Sequence, residues 1–197
     1  MTKNKKIIFT VDDNDSNLTA CNQVLKSYYA VYPIQSAAKM FSLLEHIKPD
    51  LILLDVEMPE MNGLETIKIL KEKKETKEIP VVFLSAITDA SSEAEGMKLG
   101  ALDYLHKPII SALLLQRVKI YLHLIEAKKM LEEKNKAFLQ ISQNFKQSIK
   151  ETIGKVGSVS ENEILKMLKK LLASCDEFSN LSKETVKTFS APARKKK

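Results

Sequence analysis

Residues 50–63 read DLILLDVEMPEMNG. Four aliphatic residues, Leu51 to Leu54, run without a polar break into Asp55. An apolar run of that kind predicts a strand buried on both faces, the sort found in a parallel sheet covered by helices. Pro59 and Asn62-Gly63 then turn the chain toward a helix. The stretch therefore reads as a rigid arm with a negative charge at its tip.

Similar runs recur on either side. Ile7–Val11, Ala30–Ile34, Val81–Leu84 and the brief Leu102–Leu105 all read as strands. Between them apolar residues fall at helical spacing: Leu18, Cys21, Leu25 and Tyr28; Met40, Leu43, Leu44 and Ile47; Leu64, Ile67 and Leu70; Ala94, Met97 and Ala101. A last helix is expected from about Ile109. Alternation of strand and helix predicts βαβ units and an α/β, doubly wound, five-stranded parallel sheet. Pro49-Asp50 and Pro80 place loops before two of the strands, and Gly100 is expected to end a helix.

Open sheets of this type bind ligands outside the carboxyl ends of their strands. The first strand ends in Asp12 and Asp13, the third in Asp55, the fourth in Ser85 and the fifth in Lys107-Pro108. Taken singly, each has a bland reading as a cap, a turn residue or a solvated lysine. Taken together, they would converge on one edge. Clustered carboxylates need a proton or a cation at neutral pH. With no Cys or His among them, oxygen ligation favours a hard ion, and Mg²⁺ suits sparse carboxylates and water. A carboxylate can also act as a nucleophile and form an aspartyl-phosphate. There is no GxxxxGK[ST] loop, so a nucleotide is not the obvious donor.

Four motifs resemble the receiver domain of bacterial two-component response regulators: VDDNDSNL at 11–18, LILLDVEMPEMNGLE at 51–65, VVFLSA at 81–86 and GALDYLHKP at 100–108. The resemblance covers residues of about 5–121 and implies a flavodoxin-like (βα)5 fold. It implies that Asp55 is the phosphoacceptor. Asp12, Asp13, Asp55 and the backbone carbonyl of Glu57 would hold Mg²⁺. Lys107 would pair with the phosphoryl group, next to a cis bond to Pro108. Ser85 would move toward a phosphoryl oxygen, and Tyr104 would turn inward behind it. Glu57 and Ile87 stand where the family tunes phosphoryl lifetime. The phosphoryl source would be a cognate histidine kinase or phosphotransfer protein, and the domain is a phosphoacceptor rather than an enzyme.

Charge separates the front of the chain from the back. Residues 1–121 hold 15 Lys+Arg and 16 Asp+Glu, a net of −1, whereas residues 122–197 hold 16 and 9, a net of +7. No Pro or Gly interrupts Ile110 to Ile153, and Leu124, Leu131, Phe138 and Phe145 recur every seven residues, partly joined by Ile120, Ala127 and Ile141. That pattern predicts a long helix with imperfect coiled-coil character. Gly154 and Gly157 break it. SENE at 160–163 is a capping box that starts a second helix, with Ile164, Leu168, Leu171, Cys175 and Phe178 along one stripe.

The expected organisation is a receiver over 1–121, an all-α helical hairpin over 122–190 and a basic tail over 191–197. A lone hairpin cannot easily bury both apolar faces, so a homodimer through the C-terminal helices and a downstream protein partner are expected. A DNA-binding transcriptional regulator is the second reading, carried by the basic back half. It is disfavoured because lysines alternating with glutamates usually mark a solvated helix face. The three histidines, 46, 106 and 123, all precede residue 124, which excludes a hairpin with its own phosphorylatable His.

Hydrophobic residues make up 44% and charged residues 28% of 197, an ordinary globular balance. No apolar run approaches the ~20 residues that span a bilayer. The basic-then-apolar N-terminus is too short in its apolar part to be a signal peptide. A cytoplasmic protein with no membrane partner is expected, with Cys21 and Cys175 as buried free thiols.

Overall fold

The structure is a computed structural model. It describes residues 5–86, 90–155, 162–164, 166, 168–170 and 173. Element order is β1 (Ile7–Val11), α1 (Asp15–Leu25), β2 (Ala30–Ile34), α2 (Ala37–Leu44), β3 (Leu51–Asp55), α3 (Gly63–Glu72), β4 (Val81–Ser85), α4 (Ala90–Lys98), β5 (Asp103–His106) and α5 (Ser111–Lys155). The strands form one sheet in the order β2-β1-β3-β4-β5. Every neighbouring pair is parallel. This is the flavodoxin-like doubly wound fold, continued by a long C-terminal helix.

Successive strand side chains point to opposite faces, so one sheet feeds two cores. Phe9, Val11, Ile52, Leu54 and Phe83 pack with Met40 of α2 and Ile67 and Leu70 of α3. Ile8, Leu51, Leu53, Val82 and Leu84 pack on the other side with Cys21 and Leu25 of α1 and Leu114, Val118 and Tyr121 of α5. All residues of β3 and β4 are buried. That is why their sequences show no polar alternation. β2 lies at the edge, only partly buried, and its exposed Pro33 is the kind of residue that an edge strand tolerates.

Helix starts are set by short polar side chains. The Asn14 side chain accepts hydrogen bonds from the backbone N–H groups of Ser16 and Asn17, and Ser36 caps α2 through Lys39 N. Asn62 and Glu65 form a reciprocal capping box on α3.

Several expectations need correction. α1 ends at Leu25, so Tyr28 falls beyond it and is exposed, with the Lys119 ammonium 4.9 Å from its ring centre. Ile47 lies past the end of α2. β5 begins one residue later than its apolar run, at Asp103. The expected α4 stripe fails at Ala94 and Met97, which are exposed, and holds at Ala101, which is buried past the end of the helix; among the described residues of α4, Gly96 is the buried position. A Cβ at Gly96 would lie 2.9 Å from Phe83 Cε2, so α4 approaches the sheet through the one residue that has no side chain.

Packing divides the chain into Met1–Ile125 and Glu126–Lys197. The first unit contains the sheet. The described residues of the second are helical. In α5, Leu124, Leu131 and Phe138 of the seven-residue repeat are exposed. α5 runs through Gly154 to Lys155, so Gly154 does not break it; Gly157, Ser160, Cys175 and Phe178 lie outside the described residues, as does Ile87. Cys21 is a buried free thiol, raised to about 11 by burial first and then by the charge of Asp12. No helix among the described residues is long and apolar enough to cross a membrane.

Candidate functional site: an acidic pocket at the carboxyl edge of the sheet

Parallel register brings the strand ends together. Val11 pairs with Leu54, and Asp55 pairs with Leu84, so Asp12, Asp55 and Ser85 emerge side by side. Asp12, Asp13 and Asp55 each offer an oxygen within 4.8 Å of the others. Asp12 and Asp55 are buried, and Asp13 is exposed. The Lys107 ammonium bridges the buried pair, 2.7 Å from Asp12 Oδ2 and 2.8 Å from Asp55 Oδ2. Its backbone N–H donates to the Ser85 carbonyl at 2.7 Å, and its bond to Pro108 is cis, as the resemblance implies.

The pocket's electrostatics follow from this geometry. Burial pushes the Asp55 carboxyl above the usual carboxylate range, against the Lys107 hydrogen bond, while the Asp12 charge pushes it further. Burial pulls the Lys107 ammonium down, but its hydrogen bonds to Asp12 and Asp55 and their charges outweigh that and leave it raised. The Glu57 N–H donates to Asp55 Oδ1 at 3.4 Å, while the Glu57 side chain is exposed. Ser85 is fully buried at the end of β4.

Tyr104 lies away from the carboxylates. It is buried, its ring 5.8 Å from Phe83 and 5.4 Å from His106 between centroids. Its hydroxyl has no hydrogen-bond partner among the described residues.

Two residues of the site were not assigned to it from sequence. Asn17 donates its side-chain amide to both Asp12 oxygens at 3.0 Å. The sequence marks Gly63 only as a turn residue. Its N–H donates to the Val56 carbonyl at 2.9 Å, and a Cβ there would sit 2.4 Å from the Asp55 carbonyl oxygen. The start of α3 thus rests directly on the backbone that carries Asp55. Both lie inside motifs quoted above, Gly63 at 51–65 and Asn17 at 11–18, but residue type alone gives neither of them a contact with the site.

The donor set consists of three carboxylates without His or Cys. It fits a hard divalent cation such as Mg²⁺ and does not resemble a zinc site. A parallel 2-1-3-4-5 sheet with this acidic, lysine-bridged pocket at its carboxyl edge is the architecture of a phosphoacceptor receiver module. Residues 8–119 match the response regulator receiver domain, and the chain belongs to that family.

The chain is 37% identical over 128 residues to a Vibrio cholerae protein named "Probable cyclic di-GMP phosphodiesterase", a match covering 65% of this chain and 29% of that one. It is 34% identical to the response regulator PleD of Caulobacter vibrioides, over 57% of this chain and 25% of PleD. It thus spans less than a third of either relative. The polar-differentiation response regulator DivK of Brucella ovis is 31% identical over 59% of this chain and 96% of its own length. Among solved structures, the BeF3-activated DrrB receiver domain superposes with a TM-score of 0.55 at 27% identity, covering 60% of this chain and 98% of that one.

Proposed function

We propose that this chain is a response regulator whose Asp55 carboxylate accepts a phosphoryl group from a histidine kinase or phosphotransfer protein. The observation that carries the reading is the Lys107 ammonium held between Asp12 and Asp55 beside a third carboxylate. A carboxylate oxygen of Asp55 attacks phosphorus, the O–P bond forms, and the donor's bond to phosphorus breaks with its electron pair leaving on the donor. Lys107 stands ready to neutralise charge on the transferring group, and Ser85 to donate its hydroxyl to a phosphoryl oxygen. Asp12, Asp13, Asp55 and the Glu57 carbonyl would hold Mg²⁺. Bound there, the ion would supply further charge neutralisation at the phosphoryl oxygens. The Glu57 and Ile87 side chains would set how readily water reaches the product.

The output follows from the switch. Phosphorylation would offer the Ser85 hydroxyl a phosphoryl oxygen, and Tyr104 lies two strand-widths from Asp55, packed on Phe83 of β4. Movement there biases the face made by α4, β5 and α5, within the ~1–3 kcal/mol usual for coupling between sites. We assign the receiver to 1–121, a dimerising or partner-docking helical region to 122–190 and a basic tail to 191–197. Exposed Met130, Leu131 and Leu139 on α5 support the helical region as a self-association surface.

The test is treatment with a small phosphodonor and Mg²⁺, read by intact mass and oligomeric state. Wild type should gain one phosphate, and Asp55→Asn none. An adduct on Asp55→Asn would remove the acceptor assignment. An unchanged assembly state on phosphorylated wild type would remove control of dimerisation and leave the acceptor standing.

A further inference from the structure

A buried carboxylate is costly unless its oxygens are hydrogen-bonded. Asp12, 3% exposed, is satisfied on both. Its Oδ1 accepts from the Asn14 N–H at 2.9 Å and from Asn17 Nδ2 at 3.0 Å. Its Oδ2 accepts from the same Asn17 nitrogen at 3.0 Å and from Lys107 at 2.7 Å. A carboxylate has about four lone-pair positions, so a cation would reach Asp12 by displacing one of these donors, and Lys107, which also holds Asp55, is the one with a second partner.

The three donors differ in kind. The Asn14 N–H is backbone two residues along and touches one oxygen. Lys107 touches one oxygen and is shared with Asp55. Asn17 alone touches both oxygens, from the first turn of α1. A donor that touches both oxygens ties the whole carboxylate to the first turn of α1, whereas each of the other two donors holds a single oxygen. Its neutrality matters as well. A lysine or arginine at this position could hold Asp12 equally firmly but would set a second positive charge beside the cation site.

We propose that Asn17 is a positioning residue: its amide orients the Asp12 carboxylate toward the cation, so Mg²⁺ affinity depends on a side chain that does not ligate the ion. The inference rests on the reading of Asp12 as a cation ligand. Partners that orient metal ligands typically contribute 10–100-fold in metal affinity or activity.

The experiment is calorimetric titration of the full chain with Mg²⁺ alone, for wild type, Asn17→Leu and Asn17→Ala. Leucine removes the donor while filling its space against water. Alanine removes the donor and favours the helix. Asn17→Leu should bind Mg²⁺ about tenfold more weakly, the low end of that range. Its phosphorylation by acetyl phosphate should slow at limiting Mg²⁺ and recover at saturating Mg²⁺. Wild-type Mg²⁺ affinity in folded Asn17→Leu, or in Asn17→Ala should the leucine variant not fold, overturns the proposal. A lowered thermal midpoint with unchanged affinity does so too, because it marks a purely structural residue. Absence of Mg²⁺ binding by wild type overturns it together with the site reading, so the two failures are distinguishable.

Discussion

Two βα units flank the pocket, and they are built differently. β3 passes to α3 through a tightly held connection: Gly63 N–H on the Val56 carbonyl, the Asn62–Glu65 capping box, and the Thr66 hydroxyl on the Asn62 carbonyl at 2.7 Å. α3 then buries Thr66, Ile67 and Leu70. β4 is just as buried as β3, but α4 turns Ala94 and Met97 outward and meets the sheet at Gly96. The first unit holds Asp55 in place. Among the described residues of α4 only Gly96 is buried, as suits the proposed switch, in which this element responds to a small free-energy bias.

The sharpest way to break that contrast is to put the same methyl group into each unit. Gly63→Ala drives a Cβ into backbone, the Asp55 carbonyl, which cannot step aside without moving Asp55. We expect a loss of more than ~2 kcal/mol in urea unfolding, in the upper part of the usual overpacking range, and slower phosphorylation. Gly96→Ala meets only the edge of the Phe83 ring, at 2.9 Å. It also gains ~1 kcal/mol of helix propensity, which offsets the crowding. Its net stability should lie within ~1 kcal/mol of wild type, since mild overpacking costs about that much. Equal losses in the two variants would end the distinction between a held unit and a loosely anchored one.

A second test asks whether the held unit carries electrostatic tension. The folded Asp55 carboxyl is raised from its ordinary value of 3.8, burial being the first cause. Between 3.8 and its folded value, the native state therefore binds more protons than the unfolded chain, and stability falls as pH rises through that window. Asp55→Asn removes the charge and leaves Lys107 paired with Asp12. In EDTA, the variant should be more stable than wild type near neutral pH, and the gap should close as pH drops toward 3.8. A gap of the opposite sign, or one independent of pH, would show that the Lys107 pairing outweighs burial.

The contrast also explains what was legible in the sequence. β3 announces itself because burial on both faces leaves four aliphatic residues in a row, and Asp55 at the tip is conspicuous for the same reason. Asp12, Asp13, Ser85 and Lys107 are legible because each follows a strand and fits a motif. α4 misleads: Ala94 and Met97 mimic a core stripe, while the true contact, Gly96, carries no hydropathy signal. In α5, Leu114 and Val118 are buried against the sheet, whereas Leu124 and Leu131 are exposed. Periodicity alone cannot say which apolar positions a sheet will cover. Asn17 lies inside the 11–18 motif, but its contact is hidden there because it depends on a carboxylate five positions earlier, brought within reach by the turn into α1.

The smallest effect is expected where the α4 side meets Tyr104. Tyr104 packs its ring between Phe83 and His106, and its hydroxyl is buried without a partner among the described residues. A buried hydroxyl left unpaired costs ~1–3 kcal/mol relative to water. Tyr104→Phe keeps the ring and removes that cost, so the variant should match wild type or exceed it by up to ~1 kcal/mol in urea unfolding. Because the ring lies away from the carboxylates, the rate of phosphorylation by a small donor should not change. A loss of more than ~1 kcal/mol would show that the hydroxyl makes a bond in the resting fold. A changed phosphorylation rate would show instead that the two βα units are coupled before any phosphate arrives.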